Sequence, residues 1–203
     1  MHPGSTLFLD VCAQRDFWPG GAWPLVDTDS AANVAALFAL ASELGLRQGG
    51  VRCAHAPGEA RPDVPPHAAA GSAGAEPMCD PRQPVVLVAP ALHAAPALDR
   101  AHAYYVATGC AAPPDGDPVC RAVIDHLLAG VRDVVIFGAA IETALDGIVD
   151  ACLRRRLRTH VALDAAAAAD AARAQQVIGE WKRRGVDGLT TATVARLLRR
   201  AAN

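Results

Sequence analysis

Short apolar runs alternate with segments of helical apolar spacing from one end of the chain to the other. The runs are Thr6 to Val11, Gly50 to Ala54, Pro84 to Ala89, Ala103 to Val106, Asp133 to Gly138 and Thr159 to Leu163. Their β-branched content and near-continuous apolarity predict strands buried on both faces, as in a parallel sheet covered by helices. Between them, Val34, Leu37, Phe38, Ala41 and Leu44 recur at helical spacing behind Ser30, which is predicted to be the N-cap. Pro118 opens a second predicted helix, with Val119, Val123 and Leu127 four apart. A proline in the first turn gives up only an N–H that has no intrahelical partner. From Ile141 onward, Leu145, Ile148, Val149 and Cys152 form one stripe, with Asp146, Asp150 and Arg154 opposite. The alanine-rich segment Asp164 to Trp181 predicts a helix by propensity, and Thr193 to Arg200 another. This alternation predicts an α/β fold, three layers α-β-α around a central, six-stranded, mainly parallel sheet.

Two stretches interrupt the pattern. Ala56 to Arg82 is dense in Pro, Gly and Ala, and Gly109 to Asp117 is similar. Loops of this length in a compact domain usually line a site. In open parallel sheets ligands bind beyond the carboxyl ends of the strands. That places Asp10 to Asp16, Cys53 to His67, Ala107 to Cys110 and Gly138 to Ala144 around the expected pocket.

Composition narrows the picture. A length of 203 residues fits a single domain, 1–203. The chain is 52% hydrophobic but only 4% aromatic, so the core is built from Val, Leu, Ile and Ala. A net charge of -2, with basic groups near predicted helix ends, fits solvated helix faces and gives no reason to expect a nucleic-acid partner. No apolar run approaches the ~20 residues that span a bilayer, and Leu7 to Val11 is too short for a signal peptide. The expectation is therefore a cytoplasmic protein without a membrane partner, its cysteines mostly reduced. Six cysteines without C-x-x-C spacing argue against a zinc ribbon or a thioredoxin-type motif. No G-x-G-x-x-G, Walker or H-E-x-x-H motif is present.

Two motifs carry more information. Gln14-Arg15-Asp16-Phe17-Trp18-Pro19-Gly20-Gly21 resembles the D-x-Q-x-D-F-x-P-G-G opening of nicotinamidases, and Pro65-Pro66-His67 through Gly71-Ser72-Ala73-Gly74-Ala75-Glu76 resembles the P-P-H-C-x-x-G-T-x-G-A-E loop of the same proteins. Looser matches follow at Gly138, Asp164-Ala165 and Leu189 to Val194. The chain thus resembles the nicotinamidase/isochorismatase-like cysteine hydrolases over nearly its whole length. The resemblance implies an isochorismatase-like fold, a small-molecule ligand and assembly as a homo-oligomer or with a partner enzyme.

The resemblance also implies an Asp, Lys and Cys triad in which a thiolate attacks an amide carbonyl. At the matching positions this chain has Cys12, Ala107 and Ala144, and Lys182 is its only lysine. The expectation is a pseudoenzyme whose pocket is bordered by Cys12, Phe17, Ala140, Glu142 and Ala144. Glu142 is either a ligand contact or a first-turn acid helped by the helix dipole. Asp16 and Phe17 are expected to hold the first loop in place.

Some members of the family bind a metal at positions that here hold Cys53, His55 and His67. No cofactor is certain, but a thiolate and two imidazoles suit zinc or another divalent metal. The alternative is that the three simply pack. An active hydrolase using that metal site, or Cys12 as a relocated nucleophile, is the rival to the pseudoenzyme. Against the second stands the plainer reading of Cys12 as a buried space-filler.

Overall fold

Strand β1, Thr6–Val11, lies at the middle of the sheet, and all six of its residues are buried. It pairs in parallel with β2 (Arg47–Cys53) on one side and β5 (Asp133–Ala139) on the other. The remaining strands are β3 (Val85–Val88), β4 (Ala103–Thr108), β6 (Arg158–Ala167) and β7 (Asp187–Leu189). The sheet order is β3-β4-β2-β1-β5-β6-β7, and every pairing is parallel. This computed structural model describes residues 1–25, 28–56, 58–59, 65–79, 81–88, 97–108 and 117–202.

Helices cover the sheet on both faces. Helix α1 (Thr28–Leu44) packs against β6 and α5 (Thr191–Ala202), and Phe38 of α1 meets Phe137 of β5 edge-on at 5.7 Å. On the opposite face, α2 (Pro118–Leu128) and α3 (Asp146–Arg154) bring Ile124, Leu127 and Ile148 over Leu9, Val11 and Val51. Helix α4 (Ala171–Arg183) is tied to α3 by a 2.7 Å hydrogen bond from Trp181 Nε1 to Asp146.

The three-layer α/β architecture is as expected, with corrections in detail. The sheet has seven strands, because the three-residue edge strand β7 pairs with β6. The alanines assigned to a helix after Asp164 continue β6 instead. Ala166 and Ala167 pair with Gly138 and Ala139 across a register shift, so tertiary pairing overrides helix propensity there. Helix α4 starts only at Ala171, where Asp170 accepts from the backbone of Ala172 and Arg173. Ser30 lies inside α1, which begins at Thr28. The proline-led helix starts as expected, with Asp117 accepting from Val119 and Cys120. The loop Gly109 to Gly116, with Cys110, lies outside the described residues.

Candidate functional site

At the carboxyl end of the sheet the two sequence motifs close on one another. Gln14, only 1% exposed, donates from Nε2 to the carbonyls of Cys53 (2.8 Å) and Ala75 (2.9 Å), while its Oε1 accepts from Cys53 N (2.7 Å). Asp16 bridges backbone groups as well, its two oxygens accepting from Ala22 N (3.1 Å) and Ala68 N (2.7 Å). A Cβ at Gly74 would run into the Asp16 carboxylate, so the small residue there is a steric requirement. The first loop and the P-P-H loop are thus one structural unit, and Asp16 has the holding role expected of it.

That unit positions Cys53, His55 and His67, all three buried. Their ligand atoms lie within 4.8 Å of one another. Cys53 Sγ is 3.5 Å from His55 Nε2 and 3.8 Å from His67 Nε2. The second ring nitrogens face acceptors: His67 Nδ1 is 2.7 Å from the Pro65 carbonyl, and His55 Nδ1 is 3.2 Å from the Glu59 carboxylate. With the proton held on Nδ1, each Nε2 lone pair points at the sulfur, the tautomer a metal ligand needs. Phe17 and Trp23 pack on the His67 ring at 5.2 and 4.7 Å.

The geometry passes a test of fit. Tetrahedral zinc with one sulfur and nitrogen ligands would put sulfur and nitrogen about 3.5 Å apart. The distance to His55 matches that value and the distance to His67 is slightly longer. A cavity of about 190 Å³ opens over His55, Glu59 and His67 and gives the group access from outside. One correction is needed: Cys53 is disulfide-bonded in this structure, whereas Cys12, Cys79, Cys120 and Cys152 are free thiols. A disulfide sulfur is not a thiolate, so the three-ligand reading applies to the reduced chain. Glu59 is a member of this site that sequence reasoning missed, although its place four residues after His55 was a usable signal.

The positions implied by the resemblance to cysteine hydrolases are all buried. Cys12, at φ 52°, follows β1, Ala107 lies in β4, and Ala144 sits in the π-helical turn Ile141–Leu145 that joins β5 to α3. Burial, and then the neighbouring Asp10 charge, push the Cys12 thiol up to about 12. Almost no thiolate forms at neutral pH, which favours Cys12 as a packing residue over a nucleophile. Ala140 and Phe17 are likewise buried. Glu142 stands in the first turn of Ile141–Leu145, as its reading as a first-turn acid had it, and it also fastens two elements together. Its Oε1 accepts from the backbone of Ala169 (2.7 Å) and Asp170 (2.8 Å), fastening the turn after β5 to the segment that leads into α4.

With this geometry established, comparison with solved structures decides the fold. A pyrazinamidase from Pyrococcus horikoshii, solved with zinc, matches at TM-score 0.66 and 20% identity, over 92% of this chain and 99% of that one. The chain has the isochorismatase-like hydrolase fold. An isochorismatase family protein from Desulfovibrio vulgaris matches at TM-score 0.69 and 17% identity, covering 95% and 97% of the two chains. A ribonuclease from Caenorhabditis elegans matches at 0.61 and 11%, over 96% of this chain and 81% of that one. No family model and no curated protein matches the sequence. The isochorismatase-like fold is therefore shared with proteins named for different chemistries, and function has to be argued from the site.

Proposed function

We propose that this chain uses the isochorismatase-like fold to bind a small molecule without hydrolysing it through a cysteine thiol. The observation that carries the reading is Ala144, a buried methyl in the turn between β5 and α3, where the resemblance implies the attacking sulfur. A methyl group has no lone pair with which to attack a carbonyl. Cys12 and Ala107 remove the implied carboxylate and ammonium as well. The ligand is a small amide or carbonyl compound or a relative of one, and the protein works in the cytoplasm as a homo-oligomer or beside a partner enzyme.

Ligand-observed NMR tests this reading in one experiment, with nicotinamide and a panel of small primary amides as probes. The expected result is saturation transfer to at least one probe whose own resonances stay unchanged for hours. Resonances of the corresponding acid growing in with time in the presence of chelator would overturn it.

A second reading has its own support in the paired Nε2 atoms of His55 and His67 facing Cys53 Sγ. In the reduced chain these three residues would hold a divalent metal, with Glu59 and the Pro65 carbonyl orienting the rings. A metal so bound supplies a water of lowered pKa. His55 and His67 would anchor it, and Phe17 and Trp23 would exclude bulk water from one side.

A further inference from the structure

Beneath the carboxyl end of the sheet, on the face that carries Phe137 and α1, one row of residues crosses four strands. Cross-strand register aligns Tyr105 of β4 with Gly50 of β2, Gly50 with Asp10 of β1, and Asp10 with Phe137 of β5. Arg52 lies two residues beyond Gly50 and so points to the same face. Gly50 puts no side chain into the row, and Ala107, the register partner of Arg52, puts in only a methyl. Into that space the guanidinium of Arg52 folds back over the Tyr105 ring, its central carbon 4.1 Å from the ring centroid.

Asp10, Arg52 and Tyr105 are 2%, 8% and 0% exposed. Asp10 Oδ1 accepts from Ala13 N at 3.0 Å. Asp10 Oδ2, Arg52 Nε, Arg52 Nη2 and the Tyr105 hydroxyl, all buried, make no hydrogen bond of good geometry, although the hydroxyl lies close enough to Asp10 and Arg52 to interact with both. A buried polar atom left unpaired costs on the order of 1–3 kcal/mol, and folded proteins tolerate few of them. Here four fall within one cluster. The two free nitrogens of Arg52 matter most, because Nε–H and Nη2–H form one edge of the guanidinium. That edge presents two parallel donors spaced for the two oxygens of a carboxylate.

We propose that Asp10, Arg52 and Tyr105 form a recognition site for a small carboxylate, its two oxygens taken by the Nε/Nη2 edge of Arg52 and one of them also by the Tyr105 hydroxyl. The site rests on the ligand-binding reading above and adds that the ligand carries a carboxylate beside its amide or carbonyl group. The Tyr105 ring holds the guanidinium flat from below, so the donor edge is already oriented before a ligand arrives. Planarity and paired acceptors are what the edge selects, so a neutral amide of the same shape is a poor substitute.

The test is calorimetric titration of the whole chain with acetate, with isosteric acetamide as the neutral control and chloride at matched ionic strength. Saturable acetate binding is expected, at least tenfold tighter than acetamide. Arg52→Lys keeps a charge but loses the two-donor edge, and Tyr105→Phe keeps the ring but loses the hydroxyl. Each is expected to weaken acetate binding about tenfold. Equal affinity for acetamide, acetate affinity unchanged in both variants, or no saturable binding to the unmodified chain would overturn the site. This failure is distinguishable from that of the broader reading, which falls only if amide is consumed.

Discussion

The side-chain amide of Gln14 grips the backbone of Cys53 with both of its polar atoms, 2.7 Å at the N–H and 2.8 Å at the carbonyl. The grip is wholly buried and ends β2 at the point where the candidate metal ligands begin. Through it the first loop sets the position of Cys53, and through the Ala75 carbonyl the same amide sets the P-P-H loop.

Replacing Gln14 with Ala strands the two buried backbone groups of Cys53 and the part-buried Ala75 carbonyl at once. A loss of about 3 kcal/mol or more in unfolding free energy is expected, seen as a lower midpoint in urea with an unchanged slope. A change within about 0.5 kcal/mol would mean that the grip contributes nothing to stability.

Asp16 and Gly74 are expected to behave as a coupled pair. Gly74→Ala alone pushes a methyl into the Asp16 carboxylate and is expected to destabilise by about 2 kcal/mol. Made on top of Asp16→Ala, the same change is expected to cost far less, since its steric partner is gone. Additive effects in the double-mutant cycle would contradict the geometry.

Much of this was legible in the sequence, for identifiable reasons. Strands β1 and β5 announce themselves as nearly continuous apolar runs, and α2 and α3 carry clean helical stripes. Edge strand β7 is three residues long and largely exposed, so it leaves no apolar signature. Ala165 to Ala167 mislead because alanine favours helix locally while the sheet claims them through Gly138 and Ala139. The motif residues Gln14, Asp16 and His67 identified themselves, but the Asp10, Arg52 and Tyr105 cluster depends on cross-strand register, which no single segment encodes. The charged Asp10 inside the otherwise apolar strand β1 was the available hint.

Asp10 gives a pH signature of known sign. Burial raises its carboxyl from 3.8 to about 6 in the folded chain, against the Arg52 charge, the Ala13 N–H and the Tyr105 hydroxyl. The folded state therefore holds this proton more tightly than the unfolded state. The stability it confers is complete below about 3.8 and is lost as pH rises through about 6. Relative to Asp10→Asn, the unmodified chain is expected to lose about 2 kcal/mol between pH 4 and pH 7.5. A stability difference that stays constant across that interval would contradict the assignment.

Under reducing conditions the chain is expected to retain about one equivalent of zinc by elemental analysis after purification without chelator. His67→Ala is expected to abolish this, and Glu59→Ala to lower affinity about 10- to 100-fold by releasing the His55 ring. Retention of full zinc by the His67 variant would place the metal elsewhere.

The central claim is that cysteine-thiol amide hydrolysis is absent, and ammonia release from nicotinamide measures it most directly. The unmodified chain, reduced and assayed with zinc and again with chelator, is expected to give ammonia no faster than buffer under both conditions. Release that persists in chelator would contradict the account, because it would require an attacking group that Ala144 does not provide.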